Sequence, residues 1–149
     1  MRLPLRVAAA VREVWPSGFP LFVRISATDW ADGGWDLPQS IVFSKALKKL
    51  GVDLIDCSSG GMVPYAKVQI GPGYQVPFAE AIRREVAIPT GAVGMITQAA
   101  QAEKIVASGQ ADVVLLAREL LRDPYWPLHA AKELGAEIAW TKQYERAKS

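Results

Sequence analysis

The sequence predicts an α/β fold: four parallel strands with flanking helices. Three features point to it. Ala87–Pro124 reads as strand, glycine turn, helix and strand, followed by Arg118, Glu119 and Arg122. Two parallel strands joined by a helix make a βαβ unit. Within it, Asp112–Ala117 is apolar without alternation after its first residue, which suits a strand buried on both faces. The same succession of short apolar run and helix-period segment recurs upstream, so that four strand–helix units follow one leading helix.

Taken in order, Leu3–Trp15 places Leu5, Val7, Ala8, Val11 and Val14 at helical spacing, with Pro4 in a first turn. No leader precedes this helix in the sequence given. Pro16–Pro20 is a turn. Leu21–Ser26 is a strand containing Arg24. An unpaired charge inside an apolar strand is costly. Arg24 therefore either pairs with a carboxylate such as Asp53 or Asp56, or points from the strand toward a ligand. Thr28–Asp36 is a loop whose Trp30 and Trp35 need something to pack on. Leu37–Leu50 is a helix with Pro38 early and Ile41, Val42, Ala46, Leu47 and Leu50 on one side; Gly51 ends it. Val52–Ser58 is a strand running into a Ser-Ser-Gly-Gly turn, either a functional loop or a flexible one.

Met62–Val76 lacks periodicity and holds Pro64, Tyr65, Gly71, Pro72, Gly73 and Tyr74. A loop of that length in a compact domain is more often functional than not. Pro77–Glu85 is a helix, Ile88–Val93 a strand closed by Gly91 and Gly94, and Thr97–Ser108 a helix with Ala99, Ala102, Ile105 and Val106 inward. After Asp112–Ala117 comes a last helix, Pro124–Leu134, with Asp123 as N-cap. His129 sits at that helix's surface without assigned chemistry. The tail, Gly135–Ser149, is polar, and its Trp140 and Tyr144 call for a docking surface, a neighbouring subunit being one.

Half of the 149 residues are hydrophobic and the formal charge is +2, enough for one domain, residues 1–149, with a core. There is no basic run or aromatic-laced basic stripe for nucleic acid. One cysteine, Cys57, and one histidine, His129, leave neither a disulfide framework nor a multi-ligand metal site. No stretch is apolar for the ~20 residues of a membrane helix. A reduced, cytoplasmic location is expected.

The turn after Gly94 and the segment at Arg118 emerge at the same end of the sheet. Amides beside a glycine, with a forked cation nearby, suit a phosphate. The alternative is a plain turn and a surface ion pair. The units repeat every 30–35 residues or so, as βαβ spacing requires. A complete (β/α)₈ barrel takes ~250 residues, so the chain holds about half of one. A four-stranded open sheet leaves two edges and an inner face uncovered. The chain is a fragment, or closes a barrel with a second copy, or is a compact four-stranded domain.

Several segments together resemble the old yellow enzyme family of flavin oxidoreductases, in its YqjM-like, xenobiotic-reductase-related branch. They are PLFVRISATDW at 20–30, GVDLIDCSSGG at 51–61, GPGYQVPFAEAIR at 71–83, TGAVGMIT at 90–97, QAEKIVASGQADVVLLARELLRDPYWPLHAA at 101–131 and QYERA at 143–147. The likeness covers nearly all of the chain and aligns with the carboxyl-terminal half of the family's TIM barrel: strands 5 to 8, their helices and the tail. On that alignment Met1 is an internal methionine of a longer protein.

The resemblance implies an FMN-binding portion of an NAD(P)H-dependent ene-reductase, with NADPH or NADH as reductant and an activated alkene as substrate. It implies that Arg24 lies by the flavin's N1–C2=O edge, where a fixed cation favours reduction. It implies that Gly94, Ala117 and Arg118 hold the phosphate, alanine standing where glycine is more usual, and that Arg146 reaches into a neighbouring subunit's active site. The family's substrate-holding His pair and proton-donor tyrosine belong to the other half, so no catalytic residue is carried over. The isolated chain is then either this FMN-binding half, with a homo-oligomer or the missing amino-terminal half as partner, or an inactive, self-associating half-barrel. A third reading, an aldolase-like half, lacks a lysine on an apolar strand, since Lys67 and Lys104 lie elsewhere.

Overall fold

The structure, a computed structural model, describes residues 1–148; the last residue of the expected tail, Ser149, lies outside the described residues. Helix α1 (Arg2–Val14) leads into β1 (Phe22–Ser26), α2 (Leu37–Lys49), β2 (Leu54–Ser58), α3 (Val76–Val86), β3 (Thr90–Val93), α4 (Ala99–Ala107) and β4 (Val113–Leu115). Two short helices, α5 (Arg118–Arg122) and α6 (Trp126–Glu133), and a 3₁₀ turn at Lys142–Ala147 complete it.

The sheet order is β1-β2-β3-β4, all neighbours parallel. Parallel crossovers are right-handed, so consecutive neighbours place every connecting helix on the same face. The register puts Ile25, Cys57, Ala92 and Val114 side by side. They pack with Phe43, Leu47, Ala79, Ile82, Ala102 and Ile105 of the helices into one core. The alternate residues, with Arg24 beside Asp56, Gly91 and Val113, form the other face, which no helix among the described residues covers. This is the sheet of half a (β/α)₈ barrel, with the barrel's interior side open.

There are three departures from the sequence reading, the first of which that open side explains. Strand β4 is shorter than Asp112–Ala117 and is not buried on both faces: Val113 is 39% exposed, because it lies on an edge strand and points to the uncovered face. On α1 only Ala8 is buried, while Val7, Val11 and Val14 are exposed. This helix flanks the β1 edge, where the next strand of a barrel would stand. On α2 the buried line is Ser40, Phe43, Ser44 and Leu47, and Val42 faces outward. The serines serve a purpose: Ser40 Oγ donates to the Ala27 carbonyl (2.9 Å) and accepts from Trp35 Nε1 (2.6 Å), drawing α2 close to the loop after β1.

Other elements follow local chemistry. Asp36 caps α2 by accepting the Gln39 amide at 2.9 Å. Trp35 packs edge-on against Phe43 and Trp30 edge-on against Phe78, with Tyr74 tilted beside Trp30. In α4, Ala99, Ala102 and Ile105 are buried, but Val106 is exposed. Asp123 does not cap a helix beginning at Pro124. Instead it accepts the Tyr125 amide (3.0 Å) and pairs with His129 Nδ1 (2.6 Å), and α6 begins at Trp126. Trp140 lines a groove with Leu128 and Ala131, so it packs back on the chain's own α6 region, whereas Tyr144 is exposed.

Candidate functional site

The carboxyl ends of β3 and β4 open on a cavity of about 160 Å³. One wall is Val93–Thr97, the other Leu115–Glu119 with Arg122. Backbone chemistry shapes the first wall. Gly94 has φ +119°, and a Cβ there would meet Gln75 Nε2 at 2.7 Å and Tyr74 Cε1 at 2.9 Å, so only glycine fits. Met95 follows at φ 49°. Gln101 braces this loop, its Nε2 donating to the Met95 carbonyl and its Oε1 accepting the Thr97 amide, each at 3.2 Å. The Ile96 amide has no partner among the described residues.

The second wall carries the charge. Ala117 sits at φ −117°, ψ −82°, so alanine is admitted there without a left-handed conformation. Arg118 is exposed at the start of α5 and forms no ion pair among the described residues. The one carboxylate of this wall, Glu119, is engaged by Arg122 at 2.5 Å. A phosphate wants free amides and an uncommitted forked cation. The Ile96 amide and the Arg118 guanidinium meet that requirement, and the surface ion pair that the sequence left open for Arg118 is not formed.

Arg24 lies elsewhere. It stands on the open face of β1 opposite Asp56, and its Nε donates to Asp56 Oδ2. It lines a separate trough of about 530 Å³ with Ser26, Asp29, Trp35 and Met62. Of the two partners the sequence offered, Asp56 is the one used. Asp53 accepts the Leu21 amide instead (2.8 Å) and faces Arg12 (3.8 Å). Arg146, in the 3₁₀ turn, is exposed and lines neither cavity. Thus the fold brings Gly94, Ala117 and Arg118 together and leaves Arg24 and Arg146 apart from them.

Two side chains escaped the sequence reading. Gln75, almost fully buried, accepts from Ser59 Oγ (2.6 Å) and donates to the Val93 carbonyl (2.9 Å). Ser59 in turn accepts from Trp30 Nε1 (2.9 Å). This chain ties the loops after β1, β2 and β3 together directly behind Gly94. Gln101 is the other. Gln75 lies in a loop, where polar residues carry no periodic signal, although it is next to the glycine-proline cluster that marked that loop as functional; Gln101 is a polar residue on α4, and nothing in a helical period says that its side chain turns back to the loop before it. Cys57, wholly buried beneath the sheet, has its thiol pushed up to about 12, by burial first and by the Asp56 charge second. It is no nucleophile.

A model of the NADH:flavin oxidoreductase / NADH oxidase family matches residues 1–137. The chain belongs to that family. Within it, the sequence is 60% identical over 137 residues to an NADPH dehydrogenase of Geobacillus sp. (strain WCH70), covering 92% of this chain and 39% of that protein. It is 52% identical over 136 residues to the NADPH dehydrogenase of Bacillus subtilis (strain 168), covering 91% and 39%. The old yellow enzyme likeness read from the sequence is therefore sound, and the chain spans about two fifths of the length of these curated relatives. Among solved structures, a mutant of the active chimera of (S)-mandelate dehydrogenase superposes with TM-score 0.53 at 16% identity, over 88% of this chain and 31% of that one. That likeness shows the fold alone, a part of a TIM barrel. Among the described residues no helix is long and apolar enough to cross a membrane.

Proposed function

We propose that this chain is the FMN-binding half of an NAD(P)H-dependent ene-reductase, a single unit over residues 1–149 that works in the cytoplasm. The observation that carries the proposal is the unpaired Arg118 guanidinium facing the Ile96 amide and Gly94 turn across one cavity. When bound, FMN supplies hydride transfer from a nicotinamide to the β-carbon of an activated alkene. The chain's own part is to bind and orient. Gly94 lets the loop approach the phosphate, Ala117 shapes the second wall, and Arg118 neutralises the charge. Arg24 supplies a fixed cation on the open face, for the flavin's N1 edge. Arg146 belongs to a contact between subunits. The groups that would polarise the substrate and return a proton come from outside this chain.

An absorption spectrum of the purified chain, recorded with its mass on a sizing column, is the first test. A yellow monomer or dimer supports the reading, and a colourless chain overturns it for this polypeptide. Titration with FMN and with riboflavin sharpens the test, because riboflavin lacks the phosphate. Arg118→Ala should weaken FMN binding by ~1.5–3 kcal/mol, the scale of a charge-assisted hydrogen bond, and leave riboflavin unaffected. Equal FMN affinity in parent and variant removes Arg118 from the site.

A second reading, an inactive self-associating half-barrel, draws on the uncovered face. Phe22 is 57% exposed there, and Leu3, Val7 and Val11 of α1 add apolar surface beside it. A colourless oligomer on the same column favours it.

A further inference from the structure

β1 and β2 place Arg24 directly opposite Asp56 on the open face of the sheet. The arginine side chain is 60% exposed and the aspartate only 12%. Arg24 Nε donates to Asp56 Oδ2, while Asp56 Oδ1 is buried with no hydrogen-bond partner. A nearly buried carboxylate with one orphaned oxygen depends on its single cation. If Arg24 swung away, the charge would be left uncompensated. The pairing therefore holds the guanidinium in one orientation. Because it uses Nε, both Nη groups stay uncommitted on the open side.

We propose that Asp56 is a positioning residue for the flavin site. It pins Arg24 through Nε so that the two Nη groups are presented together to the flavin's pyrimidine edge, and its own negative charge moderates the cation's pull on electrons. The inference rests on the FMN reading above. It differs from a purely structural ion pair in one respect: it ties a residue that never touches the flavin to the flavin's reduction potential.

The test uses the FMN-loaded chain and measures both thermal stability and the flavin midpoint potential by equilibration with a reference dye. Asp56→Asn keeps an acceptor for Nε and removes the charge, so its midpoint shifts positive of the parent. Asp56→Ala removes the acceptor as well, so Arg24 is released and the midpoint falls below that of the Asn variant. In an Arg24→Ala background, the Asn and Ala variants have the same midpoint, because nothing is left to position. Arg24→Lys keeps the charge but loses the fork, and its lowered midpoint tests the same claim should Asp56→Ala fail to fold. Midpoints that stay at the parent value while stability drops overturn the inference and leave the FMN reading intact. A chain that takes up no FMN overturns both.

Discussion

Asp112 holds Thr90 with both its main chain and its side chain: its amide donates to the Thr90 carbonyl at 2.9 Å, and its carboxylate accepts the Thr90 amide at 2.8 Å. Arg83 of α3 grips the same carboxylate through Nε and Nη2, at 3.0 and 3.1 Å. Asp53 repeats the arrangement with Leu21, its amide donating to the Leu21 carbonyl and its carboxylate accepting the Leu21 amide, with Arg12 of α1 nearby. One aspartate thus fastens the amino ends of β1 and β2, and another those of β3 and β4.

Asp112→Asn should lower stability by about 1 kcal/mol at neutral pH, since a half-exposed pair contributes little and the amide bond to the charged oxygen supplies most of the loss. Burial works to raise the Asp112 carboxyl, but the Arg83 hydrogen bond, the Thr90 amide and the Arg83 charge together hold it below its ordinary 3.8. A depressed carboxyl stabilises the fold above the ordinary value and ceases to do so as pH falls through the lowered one. Urea unfolding should therefore show parent and variant apart at pH 7 and converging in acid. A constant gap at every pH would deny the carboxylate this role.

Gly94→Ala combines a φ of +119° with contacts of 2.7 and 2.9 Å to Gln75 and Tyr74. The expected loss is about 2 kcal/mol or more. FMN affinity should fall with it, because the same loop walls the phosphate cavity. Urea midpoints and a flavin titration read the two effects, and wild-type values for both would show that the loop can relax.

Gln75→Leu strands the Val93 carbonyl and frees Ser59 from its acceptor. Loss of buried hydrogen bonds of this kind costs about 2 kcal/mol. Hydrogen exchange should localise the loosening to the loops after β2 and β3. Unchanged protection in both loops would show that neighbouring packing alone fixes them.

Cys57 should resist a water-soluble disulfide reagent in the folded chain and react at the rate of unfolding. Its thiol sits at about 12 against an ordinary 9.0. The unfolded chain releases this proton first, so the stability linked to it is intact below pH 9 and declines as pH rises toward 12. Cys57→Ala should flatten that alkaline decline, as base titration of the melting temperature would show. Rapid labelling of the native chain would mean that the sheet opens locally around β2.

The β3–α4–β4 unit was legible because each element announces itself within a few residues, in a 3.6-residue period, in Gly109 as a stop, and in glycines where the backbone turns. Arg24 was legible as an anomaly, a charge in an apolar run, and its partner Asp56 was among the two candidates. The exposure of Val113 was not, because burial on the second face depends on strands that this sequence does not contain. Helix α5 was missed for lack of length, its five residues being too few to show a period. The Trp30–Ser59–Gln75 chain joins residues 29 and 16 positions apart, and nothing local to any of the three announces the others.

The side-chain fasteners sit at both ends of the sheet. Aspartates clasp β1 to β2 and β3 to β4 at their amino ends, whereas Gln75 bridges the end of β2 to that of β3 at the carboxyl side, immediately behind the phosphate cavity. In mechanical terms the sheet is two clasped pairs joined by a hinge pin. A ligand seated against Gly94 loads that pin directly, so occupancy of the cavity should be felt as stiffness across the whole sheet.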